Sequence, residues 1–216
     1  MNRILEKRTL KQRGLLSVVF GVLFLLTAVY IAGSNLYEDQ QAGIASSRII
    51  KQLQIREEKL HAPNDLPKIS GSIPSEEKEE EILLDEVGGV RYLGYLTIPD
   101  LDLILPVAYD WDFDQLKQSP ARYTGSYLEN DLVICAHNSR SHFRKLLQMP
   151  IGKNVYLTSP DGSVYKYVVS AIEDLSADET VRMTGESISE KGWDLTLFTC
   201  TLDALSRHAV RCIRTD

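Results

Sequence analysis

Cys200 is the residue of this chain best placed to react. It closes the run Leu195-Thr196-Leu197-Phe198-Thr199 and opens onto a polar stretch, Thr201–Ser206; a thiol at the mouth of a strand is accessible where one in mid-strand is not. Only the thiolate is a nucleophile, so such a thiol needs a cation or base nearby to draw its pKa down from ~8.5. Two groups stand at comparable strand ends: His137, after the apolar run Leu132–Ala136, and Arg207, just before His208–Ile213. Adjacent strands would gather all three at one rim, with His137 and Arg207 as candidates for that cation or base. By residue type and position alone, a buried Cys, a core His and a surface Arg is the commoner arrangement.

Other polar residues point less well to chemistry. Cys135-x-His137 sets two metal-ligand types on one strand face, with Cys200, His208 and Cys212 on other strands. The paired C-x₂₋₄-C spacing of zinc sites is missing, so no metal is expected, and no cofactor. Cys135 and Cys212 read as small core residues, though a bridge between them is conceivable outside a cell. Three cysteines, an odd number, exclude a fully paired disulfide scaffold. His142 and His61 read as solvated, and Glu173, Asp174, Asp178, Glu179 and Glu186 as acids of a solvated stretch with no calcium assigned.

The elements that must position these residues are short strands punctuated by turns. Strands are expected at Tyr92–Ile98, closed by Pro99, and at Leu103–Val107, where Pro106 suggests an edge or strand end. Leu132–Ala136 has the unbroken apolar texture of a buried strand. Asn154–Thr158 and Ser163–Ala171 flank the turn Ser159-Pro160-Asp161-Gly162, and Asp194–Thr199 and His208–Ile213 complete the set. Helical segments are short, at Phe113–Gln118 and Ser141–Met149. The pattern is that of a mostly-β barrel or sandwich over 89–216, long enough to bury its own core.

The rest of the chain is a different object. The 216 residues hold 24 Lys+Arg and 30 Asp+Glu, a formal charge of −6, which disfavours nucleic acid as a partner. By region the charge is +4 over 1–13, −6 over 34–88 and −4 over 89–216. Between Gly14 and Tyr37 there is no charged residue, and Leu15–Ala32 is almost wholly apolar. About 20 helical residues span a ~30 Å hydrocarbon core, whereas a cleaved signal peptide usually has ~7–15. Residues 14–33 therefore read as a single uncleaved membrane anchor. The basic tip at 1–13 stays cytoplasmic and everything after the anchor lies outside the cell. Residues 34–88 read as a stalk: Ile49, Ile50, Leu53 and Leu60 share roughly one helical face, which serves as a short juxtamembrane helix, a dimer seam or, most simply, a spacer. Pro63, Pro67 and Pro74 break regular structure, and Glu76–Glu81 is a solvated charge run.

The motifs around the reactive candidates have a familiar pattern. Thr196-Leu197-Phe198-Thr199-Cys200 resembles the TLxTC signature of sortases, the cysteine transpeptidases of Gram-positive cell surfaces. Ala136-His137-Asn138 lies about sixty residues upstream, where that family carries its His, and Arg207-His208-Ala209-Val210 resembles its Arg-x-x-Val strand. Gly94-Tyr95-Leu96-Thr97-Ile98-Pro99 resembles the opening strand of a sortase domain. The resemblance spans roughly 90–216 together with the anchor. It implies a closed β-barrel with Cys200 as nucleophile, His137 as acid and base, and Arg207 as the essential Arg. Arg211 and Arg214 are fallback positions, because seven residues from Cys200 to Arg207 is a short loop. Thr199 and Asn138 are placed beside the substrate. The implied reaction cuts an LPxTG-like sorting signal through a thioester and passes the acyl group to an amine, of a cell-wall precursor or a pilin Lys. Two rivals remain: an exported cysteine enzyme acting on peptidoglycan in the manner of an L,D-transpeptidase, and a tethered, non-catalytic β-domain.

Overall fold

The computed structural model describes residues 2–61, 82–176, 178–179, 183, 192–202 and 204–216. Its compact units are Met1–Gln40 and Gln41–Asp216.

The first unit is one stretch of helix α1 (Asn2–His61), which runs on into the second. No proline interrupts the sequence until Pro63, so nothing in residues 2–61 breaks the helical hydrogen-bond pattern. Thr27 spends its hydroxyl on the Leu23 carbonyl, 2.9 Å away, so even this polar side chain is satisfied within the helix. The apolar side chains from Val18 to Ile31 face outward, Phe24 at 78% exposure, and the helix is long and apolar enough to cross a membrane.

The second unit is built on an eight-stranded closed barrel. Its strands are β2 (Val90–Ile98), β3 (Leu103–Ala108), β4 (Ala121–Thr124), β5 (Leu132–Cys135), β6 (Asn154–Thr158), β7 (Val164–Ser176), β8 (Leu195–Cys200) and β9 (Ser206–Arg214). Around the barrel they run β2-β3-β4-β5-β8-β9-β7-β6, and β6 closes on β2. The β3–β4 and β5–β8 pairs are parallel and the others antiparallel. A further short strand, β1 (Asp85–Val87), folds onto the start of β2 through Gly88-Gly89, both at positive φ as a tight two-residue hairpin requires. Closure at β2–β6 depends on Gly94: a Cβ there would lie 1.8 Å from the Thr158 carbonyl oxygen. Leu96, Leu105, Ile134, Leu157, Val169, Leu197 and Val210 fill the interior. Pro106 is tolerated because β3 meets β4 only at Ala108↔Ala121, which leaves no ladder for the missing N–H to break.

Seven of the nine strands among the described residues fall where the sequence places them, most of them a residue or more longer or shorter. β1 and β4 are additions, and the two expected helices are 3₁₀ turns, Gln115–Lys117 and Phe143–Gln148. The stalk region also differs from a plain spacer. Residues 41–61 are helical and belong to the same compact unit as the barrel. Ile49 and Leu53 are buried in one cluster with Tyr92, Ala108, Leu116, Ala121 and Cys135. Polar contacts repeat the attachment: Ser46 Oγ donates to the Gln118 carbonyl at 2.9 Å, Arg56 pairs with Asp85 at 2.8 Å, and the Tyr95 hydroxyl donates to Glu57 at 3.1 Å. The apolar face read as a stalk stripe therefore covers the outside of the barrel. Pro63, Pro67, Pro74 and Glu76–Glu81 lie outside the described residues.

Candidate functional site

Three neighbouring strands bring the sequence candidates together. β8 ends on Cys200, β9 begins at Ser206, and Cys200 and Arg207 are directly opposed across this antiparallel pair, so their side chains share a face. The seven-residue separation that looks short is what a tight hairpin needs. Thr201 N–H donates to the Ser206 carbonyl at 3.0 Å, and Ser206 N–H donates back to Thr201 Oγ1 at 3.1 Å. On its other side β8 lies parallel to β5, with Cys135 level with Phe198. Two residues further along each strand are His137 and Cys200. Across the rim the order is thus Arg207, Cys200, His137, on β9, β8 and the end of β5, and all three line one groove of about 310 Å³.

The two fallback arginines are engaged elsewhere. Arg211 is 0% exposed; its guanidinium donates to Glu173 at 3.0 Å and to Thr196 Oγ1 at 2.9 Å and stacks over Trp193 at 4.2 Å. Arg214 binds Asp216, Asn130 and the Tyr127 carbonyl. Arg207, by contrast, donates among the described residues to the Ala204 and Ser206 carbonyls, at 3.4 and 3.2 Å, bonds that a substrate oxygen can replace.

The three thiols are all free but not equivalent. Burial pushes Cys135 and Cys212 up to about 12, which holds both as neutral thiols, while Cys200 is part-exposed on the groove. His137 is held below the ordinary imidazole value, first by burial and then by the nearby Lys117 ammonium. At neutral pH it is therefore mainly the base form, and imidazolium is a minority species.

Asn138 and Thr199 act on the frame rather than facing the groove. Asn138 Nδ2 donates to the Cys200 carbonyl at 2.8 Å, and its side-chain and backbone oxygens accept from Arg144 at 3.2 and 3.0 Å. Thr199 is buried, with its hydroxyl on the Ala136 carbonyl at 2.8 Å. In place of the substrate contacts expected of them, they tie the His137 turn to the Cys200 strand end. His142 is likewise buried, not solvated, just before the 3₁₀ turn Phe143–Gln148. His208 joins the same frame: Nδ1 is 2.7 Å from Asp174 and Nε2 3.2 Å from the Leu146 carbonyl.

The groove also holds residues that motif reading passed over. Trp111, Phe113, Tyr123 and Phe198 form its aromatic side, and Ser176, Glu179 and Met183 line the opposite end. The only sequence signal for the first set was the concentration of rings in Tyr109–Phe113. Glu186 lies outside the described residues.

A sortase-domain family model matches residues 96–214, more than half of the chain. The chain belongs to the sortase family. As a sortase it is a transpeptidase. No curated protein matches it. Among solved structures it resembles sortase C of Streptococcus pneumoniae, at 24% identity and a TM-score of 0.52, over 79% of this chain and 94% of that one. It also resembles the sortase D5 transpeptidase of Clostridium perfringens, at 18% identity and a TM-score of 0.51, over 58% and 79%. Sortase C1 of Streptococcus agalactiae matches at 22% identity and a TM-score of 0.50, over 57% and 69%. These likenesses are of fold.

Proposed function

We propose that this sortase works through a thioester on Cys200. The observation that supports it most is the shared groove of Arg207, Cys200 and His137 on consecutive strands of one rim. In the forward step the Cys200 thiolate adds to the carbonyl carbon of the scissile peptide bond, and the oxygen becomes an oxyanion. Arg207 donates to that oxyanion or to the substrate backbone. Collapse breaks the C–N bond, and imidazolium His137 gives its proton to the departing amine. Imidazole His137 then takes a proton from the incoming amine, whose nitrogen attacks the thioester, forming a new amide and returning the thiolate. No carboxylate orients His137 in this scheme, and its depressed pKa leaves only a minority of molecules with the imidazolium needed for the first step.

The substrate is an LPxTG-like sorting signal on a surface protein. The acceptor is the amine of a cell-wall precursor or a pilin Lys. Residues 14–33 anchor the protein as a single pass, with 1–13 in the cytoplasm and the barrel outside. Incubation with a sorting-signal peptide and an amine should yield a peptide–amine conjugate by mass spectrometry, and Cys200→Ala should yield none. Conjugate formation by Cys200→Ala would remove the nucleophile from this residue.

A further inference from the structure

We propose that Trp111, Phe113 and Tyr123 form the subsite for the amine side of the reaction, and that the acceptor it fits is a peptide amine followed at once by an apolar or aromatic side chain. The inference rests on Cys200 and His137 in the roles given above. Strand order carries it. Side by side lie β4, β5, β8 and β9: His137, Cys200 and Arg207 stand at the rim, Ala121 of β4 is level with Cys135, and Tyr123 lies two residues further from the rim on the wall of the same groove. The acyl carbon sits at Cys200 and its oxygen toward Arg207. The amine, whose proton His137 handles, must then lie on the β5 side, and whatever follows that amine runs on toward β4.

What it meets there is a run of rings. Phe198 and Tyr123 are 5.3 Å apart edge to face, Tyr123 and Trp111 stack at 5.3 Å, and Trp111 meets Phe113 at 6.1 Å. Phe198 lies two residues before Cys200 on the same strand, and both line the catalytic groove, so the run is continuous with it. Its outer members stand open, Trp111 at 41% and Phe113 at 73% exposure. The segment that carries them is nonetheless fixed: Asp112 Oδ1 accepts from the Asp114 and Gln115 N–H groups at 2.8 and 2.7 Å. Asp110 and Asp114 are paired with Arg91 and Lys117, while Asp112 has no cation partner among the described residues. Rings packed edge to face and stacked make an apolar wall that suits a hydrophobic side chain carried next to the acceptor amine.

The test is a competition for the acyl-enzyme of the full chain between two acceptors, Gly-Phe-amide and Gly-Gly-amide, both below saturation, with products counted by mass spectrometry. The wild type should favour Gly-Phe-amide by about fivefold to tenfold, the value of one aromatic contact. Trp111→Ala and Phe113→Ala should each bring that ratio toward one through the acceptor KM, and Trp111→Phe should retain most of it. A wild-type ratio near one overturns the subsite. So does a Trp111→Ala ratio equal to wild type, or a variant that changes choice among sorting signals before the scissile bond while the acceptor ratio stays. Absence of any acyl-Cys200 in the wild type overturns the reading of the whole site, which distinguishes that failure from loss of the subsite alone.

Discussion

Arg207 and Arg211 stand on one face of β9, four residues apart, and their surroundings assign them opposite work. Arg207 opposes Cys200 and holds two loose carbonyl contacts; Arg211 is sealed between Glu173, Thr196 and Trp193. Arg207→Ala should lower kcat/KM by roughly 10³-fold, the scale of losing one oxyanion donor, while the thermal midpoint holds. Arg211→Ala should instead cost about 2–3 kcal/mol in urea unfolding, somewhat less than a fully buried pair because Glu173 keeps part of its surface in water. Exchange of these two phenotypes would transfer the catalytic role to Arg211. The thiols are separable in the same way. With Cys135 and Cys212 pushed up to about 12 by burial, iodoacetamide at neutral pH should modify one cysteine in the folded protein, Cys200, and three after denaturation. Labelling of Cys135 at a comparable rate would contradict the burial argument. For His137, removing the like charge in Lys117→Met should raise its pKa, read by NMR titration of the ring, and shift the acid limb of activity to higher pH. A limb that stays or moves down would leave burial as the whole cause. The sign for stability follows from a depressed value: the folded state favours neutral His137, so its contribution is present above the ordinary imidazole pKa and is lost as pH falls.

Among the elements, the strands bearing Cys200, Arg207 and His137 were legible because each combines an apolar run with a polar break at its end. The seven-residue hairpin looked doubtful only because its closing bonds, Thr201 to Ser206, cannot be read from spacing. β4 was not legible: Ala121–Thr124 is four residues long and half polar, and it is held by Arg122, whose guanidinium lies 4.1 Å over Tyr109 and donates to the Tyr109 carbonyl at 3.1 Å. The second half of α1 was visible as a helical stripe, yet a spacer, a dimer seam and a strap on the barrel all need the same Ile49-Ile50-Leu53 face. What decides between them is Tyr92, Ala108, Leu116 and Ala121, far away in sequence. Thr199 and Asn138 were expected beside the substrate; their hydrogen-bond partners, and hence their structural work, depend on strand pairing. The strap has a measurable consequence. A fragment 41–216 should be more stable than 82–216, and Ile49→Ala or Leu53→Ala in it should each cost about 2–3 kcal/mol by chemical unfolding. Equal midpoints for the two fragments would return residues 41–61 to the role of a spacer.

On the scale of the whole molecule, the acidity of the chain belongs more to residues 34–88 than to residues 89–216, −6 against −4, and so says little about substrate. The family assignment rests on residues 96–214, which hold every residue of the proposed mechanism. In the proposed mechanism the aromatic wall and the Arg207 end divide the groove into an amine side and an acyl side, and a thioester at Cys200 is the state in which the two are separated. Its direct observation is the decisive measurement. The full chain, incubated with a sorting-signal peptide and no added amine and then quenched in acid, should gain the mass of the acyl fragment. Peptide mapping should place that mass on Cys200, and hydroxylamine should remove it. An adduct on another residue, or cleavage of the peptide with no adduct in wild type and undiminished cleavage by Cys200→Ala, would contradict the account.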